Sequence, residues 1–240
     1  MSTTKQNFLV LAILSLPLFF SSCIFSPSIK GNGNVVEEKR EIKPFDEIKA
    51  SRGINLYITQ GETTDLLIRA DENLLDVIET EVLGGELMVR STANVRNAKS
   101  FKVFVTTPKI KSIKGSSGCN IYSETELVTG DFNVSASSGC NIHLSVQAEA
   151  VEASTSSGSN IHLDGITGNF NGHASSGSNI KAEDLKAKNA EVKVSSGANI
   201  WIATENNLRA NASSGGNVFY NGDPANTDFN KSSGGNVIKR

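Results

Sequence analysis

Two cysteines of this chain are spaced so that they could react with each other. Cys119 and Cys140 occupy the same place in adjacent copies of a repeat with the pattern Ser-Ser-Gly-x-Asn. If successive copies stack at about 4.8 Å, as neighbouring β-strands do, the two Cα atoms fall within the range of a disulfide. Other copies hold serine, alanine or glycine at this place. The alternative is therefore a narrow interior position that cysteine fills as a small apolar residue, and the sequence leaves both interpretations open.

A second set of chemically capable side chains lies two residues after the asparagine of each copy. It consists of Tyr122, His143, His162, Lys181, Trp201, Phe219 and Ile238. Because side chains alternate along a strand, this column is predicted to point outward. It could bind a partner, for example a sugar stacked on Trp201 and Phe219. Packing of the rings between neighbouring strands, or cover from a second subunit, explains the column as well.

Catalytic and metal-binding groups do not recur in phase with the repeat. The candidate carboxylates are Asp131, Asp164, Glu183, Asp184 and Asp223, and they do not share one column. Two histidines in the outward column are too few ligands for a metal, and no nearby histidine joins Cys119 and Cys140 in a zinc set. The chain also lacks the nucleophile, zinc-protease, phosphate-loop and dinucleotide motifs. We therefore expect no catalytic residue, metal or cofactor, and a polysaccharide-active enzyme is the less favoured class.

The cysteine at position 23 has the surroundings of a lipid-attachment site. It follows two small residues after the apolar run Phe8–Phe20, and Lys5 is the only charge before that run. A basic start, a short apolar stretch and small residues before the cut are typical of a secretory signal peptide. The stretch Phe20–Cys23 resembles a bacterial lipobox. Residues 1–22 are therefore predicted to be a lipoprotein signal peptide and residues 23–33 a flexible tether lipidated on Cys23, with an ordinary signal peptide as the alternative.

Composition excludes two large classes of protein. The 240 residues carry 23 Lys+Arg against 25 Asp+Glu, a formal net charge of −2. Without a basic surplus or a basic run, the chain has no nucleic-acid footprint, and we expect no nucleic-acid partner. Its mean hydropathy is −0.19, and it has one long apolar stretch, so it is not a multi-span membrane protein.

The repeat predicts the fold. Seven copies of Ser-Ser-Gly-x-Asn-Ile/Val have their glycines at Gly118, Gly139, Gly158, Gly177, Gly197, Gly215 and Gly234, with spacings of 21, 19, 19, 20, 18 and 19 residues. A fixed period near 20 is typical of a solenoid. Within each copy, apolar and polar residues alternate with the period of a half-buried strand, and glycine and asparagine are predicted to bend the chain at each corner. We predict an all-β protein, a single-stranded right-handed parallel β-helix with coils of about 20 residues.

Stacked coils would turn the repeat asparagines into a ladder. Its members are Asn120, Asn141, Asn160, Asn179, Asn199, Asn217 and Asn236. Each amide both donates and accepts, so we expect hydrogen bonds between neighbouring coils. The repeat β-helix is assigned to residues 111–240, and the β-rich residues 34–110 are predicted to cap its first coil.

Several upstream pieces accompany the repeat. They are Phe45-x-x-Ile48, the degenerate repeat Ser51–Leu56, Gln60-Gly61 and Gly85-Glu86-Leu87. With these residues and the seven copies, the chain resembles the head GIN domain family over residues 35–240. The resemblance implies a right-handed β-helix in a secreted or lipid-anchored envelope protein of Bacteroidetes-type bacteria. It implies an adhesin-type role and no catalytic residues.

The predicted function is that of a lipid-anchored cell-envelope scaffold that binds or adheres without catalysis. We expect an outer-membrane lipoprotein, palmitate-modified at Cys23 and facing either the periplasm or the cell surface. Its partners are predicted to be the membrane, through the lipid, and a glycan or envelope protein. The alternative is a periplasmic structural component that self-associates through coil ends.

Overall fold

The computed structural model describes residues 28–240. It is 67% strand and 3% helix, with stacked parallel coils that form a β-solenoid of about seven turns. The predicted fold class is thereby confirmed. The predicted signal peptide 1–22 and the lipid site Cys23 lie outside the described residues. Among residues 28–240, no helix has the length and apolar character needed to cross a bilayer.

Nineteen strands and one short 3₁₀ helix make up the described chain. In order they are β1 (Ser28–Lys30), β2 (Val35–Arg40), β3 (Glu47–Ser51), β4 (Asn55–Gln60), β5 (Asp65–Asp71), the 3₁₀ helix (Glu72–Val77), β6 (Ile78–Leu83), β7 (Glu86–Ser91), β8 (Asn94–Arg96), β9 (Phe101–Thr107), β10 (Ser112–Ser116), β11 (Asn120–Ser123), β12 (Leu127–Ala136), β13 (Asn141–Thr155), β14 (Asn160–Ala174), β15 (Asn179–Val194), β16 (Asn199–Ala212), β17 (Asn217–Asn221), β18 (Asn226–Lys231) and β19 (Asn236–Lys239).

Each repeat forms one tight corner between two parallel columns of strands. At the first corner, Ser117 and Gly118 have φ values of 54° and 71°, and the other six copies repeat this pair of positive φ angles. Two successive positive φ angles are typical of type I′ turns. The asparagine that follows starts the next strand instead of bending the chain, so the prediction that asparagine shapes the corner is wrong. The backbone N–H of Gly118 donates to the carbonyl of Ser138 in the next coil at 3.0 Å, which links adjacent corners.

The degenerate repeat upstream forms the first coil of the same stack. Arg52 and Gly53 have φ values of 58° and 74°, so this corner has the backbone conformation of the other seven. Strand β3 pairs in parallel with β10, and β4 pairs in parallel with β11. Residues 45–60, predicted within the capping segment, therefore belong to the solenoid, and the sequence between them and the first full repeat is an insertion.

The insertion folds back to cover the open side of the first coil. Strand β7 pairs with β3 and β9 pairs with β4, both in parallel. Strands β5 and β2 then add to β9 in antiparallel order, and β6 forms a hairpin with β7. We call β2 and β5–β9 the cap. Its strands pair with the backbone edge of the first coil. Without them, the unpaired N–H and C=O groups of that edge could pair with other chains and cause aggregation.

One apolar column runs through the whole stack. Its members after each corner include Leu56, Ile121, Ile142, Ile161, Ile180, Ile200 and Val218, all with 0% exposure. One apolar strip per coil cannot be buried alone, and stacking makes it continuous. The hydroxyl of Ser159 also lies inside, where it donates to the carbonyl of Ala136 at 2.8 Å. Within the described part of the chain, every buried side-chain nitrogen and oxygen has a hydrogen-bond partner.

Residues 28–33, predicted as part of the tether, lie against the cap. Strand β1 pairs in parallel with β8, and the buried carboxylate of Asp71 accepts the backbone N–H of Gly33 at 2.8 Å. Asp71 also accepts the N–H groups of Lys99 at 3.2 Å and Ser100 at 2.9 Å. Burial alone would raise the pKa of Asp71, but these three amides hold the pKa below its ordinary value of 3.8. The carboxylate thus clamps three separate segments together.

Candidate functional site

The two repeat cysteines face each other inside the first full coils. Cys119 and Cys140 are both free thiols with 0% exposure. A Cβ atom at Gly115 would collide with the sulfur of Cys140, so glycine at this position leaves room for the pair. The hydrogen bond to Cys119, together with burial, raises the pKa of Cys140. A thiol with a raised pKa is a poor nucleophile. Of the two interpretations that the sequence leaves open, the geometry therefore favours the small interior filler over the disulfide.

The seven predicted asparagines line up on the outer side of the strands that follow the corners. In each coil the side-chain Nδ2 donates to Oδ1 of the preceding asparagine, at distances of 2.9–3.1 Å from Asn141 through Asn236. Asn120 donates in the same way to Asn55 at 2.9 Å, and Asn55 donates to the carbonyl of Phe101 at 3.1 Å. The ladder therefore has eight members and is joined to the cap.

A second asparagine ladder was not predicted. Its members are Asn169, Asn189, Asn207 and Asn226, which occupy equivalent positions in four successive coils. Asn189 donates to Asn169 at 3.1 Å and Asn226 donates to Asn207 at 2.9 Å. The signal was present in the sequence, since their spacings of 20, 18 and 19 residues follow the repeat.

The outward column predicted as a binding face forms two stacks of rings. We call it the outer column, and it is extended by two cap-side residues, Tyr57 and Phe104. The first stack runs Phe104, Tyr57, Tyr122, His143 and His162, with centroid distances of 4.9, 5.4, 5.6 and 5.4 Å. The second pairs Trp201 with Phe219 at 5.2 Å and an interplanar angle of 17°. Strand spacing sets these distances, because each ring lies above its equivalent in the next coil.

The stacking leaves few ring faces for a ligand. Phe219 covers one face of Trp201, and the Lys181 ammonium lies 6.0 Å from the centre of the indole. On the side away from Trp201, Phe219 pairs with Ile238 in the strand register, and the Arg240 guanidinium lies 4.8 Å from the ring centre of Phe219. Cations beside aromatic rings are themselves stabilising contacts. The ring edges and the cations, rather than the ring faces, are thus what the outer column offers to a partner, and the geometry favours packing between coils over sugar stacking.

The two histidines of the outer column have different surroundings. Burial lowers the pKa of His143, and the neighbouring His162 and Lys181 lower it further. His162 instead lies 3.5 Å from the carboxylate of Asp184. Within residues 28–240, no cluster of three potential ligands is placed to hold a metal.

A shallow groove runs along the corners on another face of the rod. The repeat serines Ser137, Ser156, Ser175, Ser195 and Ser213 line it, and its volume is about 530 Å³. His173 and Lys193 extend into the same groove and face each other on neighbouring strands. We call it the serine groove. The sequence does not reveal this groove, because its lining comes from five coils that only stacking brings together.

Comparison with known proteins places this arrangement in a family. Residues 44–224 match the family described as "putative auto-transporter adhesin, head GIN domain". The chain belongs to the GIN-domain family. This confirms the resemblance carried by the repeats and the upstream motifs. Membership places the chain among adhesin-like proteins of the cell envelope or surface. None of the functionally curated proteins matches the chain significantly.

Solved structures share the GIN-domain fold. A "putative adhesin" from Bacteroides fragilis has a TM-score of 0.82 and 21% identity, covering 88% of this chain and 100% of its own. A "putative adhesin" from Parabacteroides merdae has a TM-score of 0.72 and 22% identity, covering 89% and 99%. A "putative lipid binding protein" from Parabacteroides distasonis has a TM-score of 0.69 and 22% identity, covering 89% and 100%. At these identities the likeness establishes the fold alone.

Proposed function

We propose that this GIN-domain protein is a lipid-anchored scaffold of the cell envelope that binds a partner without catalysis. The observation that carries the proposal is the serine groove, an open channel with a repeat serine in each of five coils. An enzyme pocket encloses its substrate and converges catalytic groups on one point. A channel with the same hydroxyl in successive coils instead suits an extended polar partner, such as a glycan chain, that makes the same contact several times.

The outer column is the second surface available to such a partner. Most of its coils carry a ring at the coil spacing of the groove serines, on a different face of the rod, and Lys181 adds a cation. Multiple weak contacts along one rigid rod add up through high effective concentration, without a deep pocket at any one of them.

Binding at the serine groove and binding at the outer column can be distinguished with variants in which one residue is replaced by its equivalent in a neighbouring coil. Ser154 pairs with His173, and Lys181 pairs with Trp201, in the strand register. His173→Ser and Trp201→Lys therefore each introduce the side chain that the preceding coil already has at the equivalent position. On a glycan array, loss of binding in His173→Ser alone assigns the groove, and loss in Trp201→Lys alone assigns the outer column. Absence of any glycan or envelope-protein ligand for the folded wild type contradicts the proposal.

Anchoring and orientation require a test on cells. Protease treatment of intact cells should digest a surface-exposed protein and spare a periplasmic one until the outer membrane is permeabilised. Cys23→Ala is the matched variant, since it removes the proposed lipid site and should release the protein from the membrane fraction. Membrane retention of Cys23→Ala contradicts the lipid anchor.

A periplasmic structural role is the alternative. It is favoured by Ile238 in β19, which is 43% exposed on the last described coil. Sedimentation that depends on protein concentration, and is reduced by Ile238→Lys, would support assembly through coil ends.

A further inference from the structure

A second cavity lies away from both rod surfaces, where the cap meets the first coil. Its volume is about 770 Å³, within the range of small-molecule sites. One side is formed by the first corner, Arg52–Gly53, with Asn55 and the next corner, Ser117–Gly118. The other side is the cap segment 92–95 together with residues 98–101. The cavity therefore exists only because the inserted cap folds back over the first coil.

The lining combines two cations with an apolar wall and contains no carboxylate. Arg52 and Lys99 provide the charge, and Val95, Ala98 and Phe101 provide the wall. Neither cation forms an ion pair within residues 28–240, whereas Arg40, Arg69, Arg90 and Arg209 each pair with a carboxylate. The Arg52 guanidinium donates one hydrogen bond, 3.3 Å long, to the carbonyl of Ser91. A guanidinium has five N–H donors, so most of its donors remain for a ligand.

Arg52 also differs from the residue found at the equivalent position of the other corners. All seven other corners hold serine at this position, with φ values of 46–54°, and Arg52 adopts 58°. A left-handed backbone conformation is unfavourable for any residue with a side chain, and a long one gains nothing there. Serine adopts this conformation in all seven other corners, so the corner does not require arginine. The chain places its one charged corner residue at a corner that borders this cavity.

We propose that this cavity binds a small molecule carrying a phosphate, sulfate or carboxylate group on a body with an apolar face. The planar guanidinium of Arg52 would hold two oxygens of the anionic group at once, and the Lys99 ammonium would add a third contact. The body of the ligand would rest on Val95, Ala98 and Phe101. The site is independent of the proposed binding along the rod, since none of its residues lines the serine groove or the outer column.

Titration calorimetry with phenyl phosphate tests the site, with benzyl alcohol as the neutral analogue. Arg52→Ser restores the residue of the other seven corners, so the variant should fold, and circular dichroism checks this. We expect phenyl phosphate but not benzyl alcohol to bind, and Arg52→Ser and Lys99→Gln each to weaken binding by about 10-fold or more. Lys49→Gln is the matched control, because it removes an exposed cation from β3 of the same coil outside the cavity; it should change binding less than about two-fold.

A second arm identifies the source of the anion, because strand β1, which follows the proposed anchor in the sequence, pairs with β8 beside the cavity. Vesicles of phosphatidylglycerol are compared with vesicles of phosphatidylcholine. Binding to the anionic vesicles alone, lost in Arg52→Ser, assigns a lipid headgroup; binding of phenyl phosphate assigns a free anion. Either result supports the site. Equal affinity of wild type, Arg52→Ser and Lys99→Gln, or no binding in either arm, overturns it.

Discussion

Replacing Asn160 with leucine tests whether the asparagine ladder holds the coils together. The leucine side chain has nearly the shape of the asparagine side chain but can neither donate nor accept a hydrogen bond. The change therefore removes the ladder hydrogen bonds of this residue with little change in volume. Asn160 donates to Asn141 and accepts from Asn179, each at 2.9 Å. The backbone N–H of Asn160, which donates to the carbonyl of Cys140 at 2.9 Å, is unaffected.

The expected cost follows from the two lost bonds. A hydrogen bond within a protein contributes about 1 kcal/mol net, so the free energy of unfolding should fall by about 2 kcal/mol. The partners left behind are only partly buried, and water can satisfy them in part. For a domain of about 200 residues, each kcal/mol shifts the Tm by about 2–4 °C. Asn160→Leu should therefore lower the Tm by about 4–8 °C.

The ladder supplies its own graded controls. Asn236 has a single ladder bond, to Asn217 at 2.9 Å, and its amide also donates to the carbonyl of Gly234 at 3.2 Å. Both bonds are exposed to water, so Asn236→Leu should lower the Tm less than Asn160→Leu does. Asn171 is exposed and lies outside both ladders, so Asn171→Leu should leave the Tm nearly unchanged. Thermal unfolding followed by circular dichroism measures all three. If Asn160→Leu and Asn171→Leu melt together, the ladder does not stabilise the stack.

Three further predictions concern the core and the cap. The Asp71 clamp contributes stability above the unfolded-state pKa near 4, and this is lost as the pH falls through the lower folded-state pKa. Asp71→Asn should therefore remove that part of the acid dependence seen in urea unfolding, and an unchanged profile would refute the clamp. Gly165→Ala should destabilise by about 2 kcal/mol or more, because Gly165 has φ +118° and a Cβ there would strike the backbone of Val146. Gly130→Ala, with no atom near its added Cβ, should cost far less in the same urea assay. Finally, Cys119 and Cys140 should carry two free thiols that alkylate only on unfolding; an intact mass lower by two hydrogens would instead establish the disulfide.

Upstream of the full repeats, the sequence predicts strands over residues 53–60, 64–70, 86–90 and 101–107. They appear as β4, β5, β7 and β9, with ends shifted by at most two residues. The sequence also predicts one or two helical turns within residues 73–81. The 3₁₀ helix Glu72–Val77 covers the first part of that region, whereas residues 78–81 belong to strand β6. Alternation reports which face of a strand is buried, and that property is local enough to be read from a single sequence.

Several features of the candidate sites depended on long-range contacts instead. The Asp71 clamp joins backbone amides that are 28–38 residues away in the chain, and no local pattern marks such an acceptor. The outer column was identified, but whether its rings faced solvent or each other depended on how the coils stack. The serine groove and the cavity beside Arg52 are spaces between segments that are far apart in the sequence, so no local residue pattern predicts them.

The sequence by itself determined the solenoid, because a 20-residue period with strand alternation can bury its apolar strip only by stacking equivalent positions on one another. The same period placed the asparagines in register, and hydrogen bonding between them followed. Only the tertiary structure decided that the coil at residues 45–60 precedes an insertion, and that this insertion returns to close the first coil and create a cation-lined cavity. Strand pairing there joins residues 39, 47 and 65 positions apart in the chain, without a repeating register, so the outcome rests on which edges remain unpaired once the repeats have stacked.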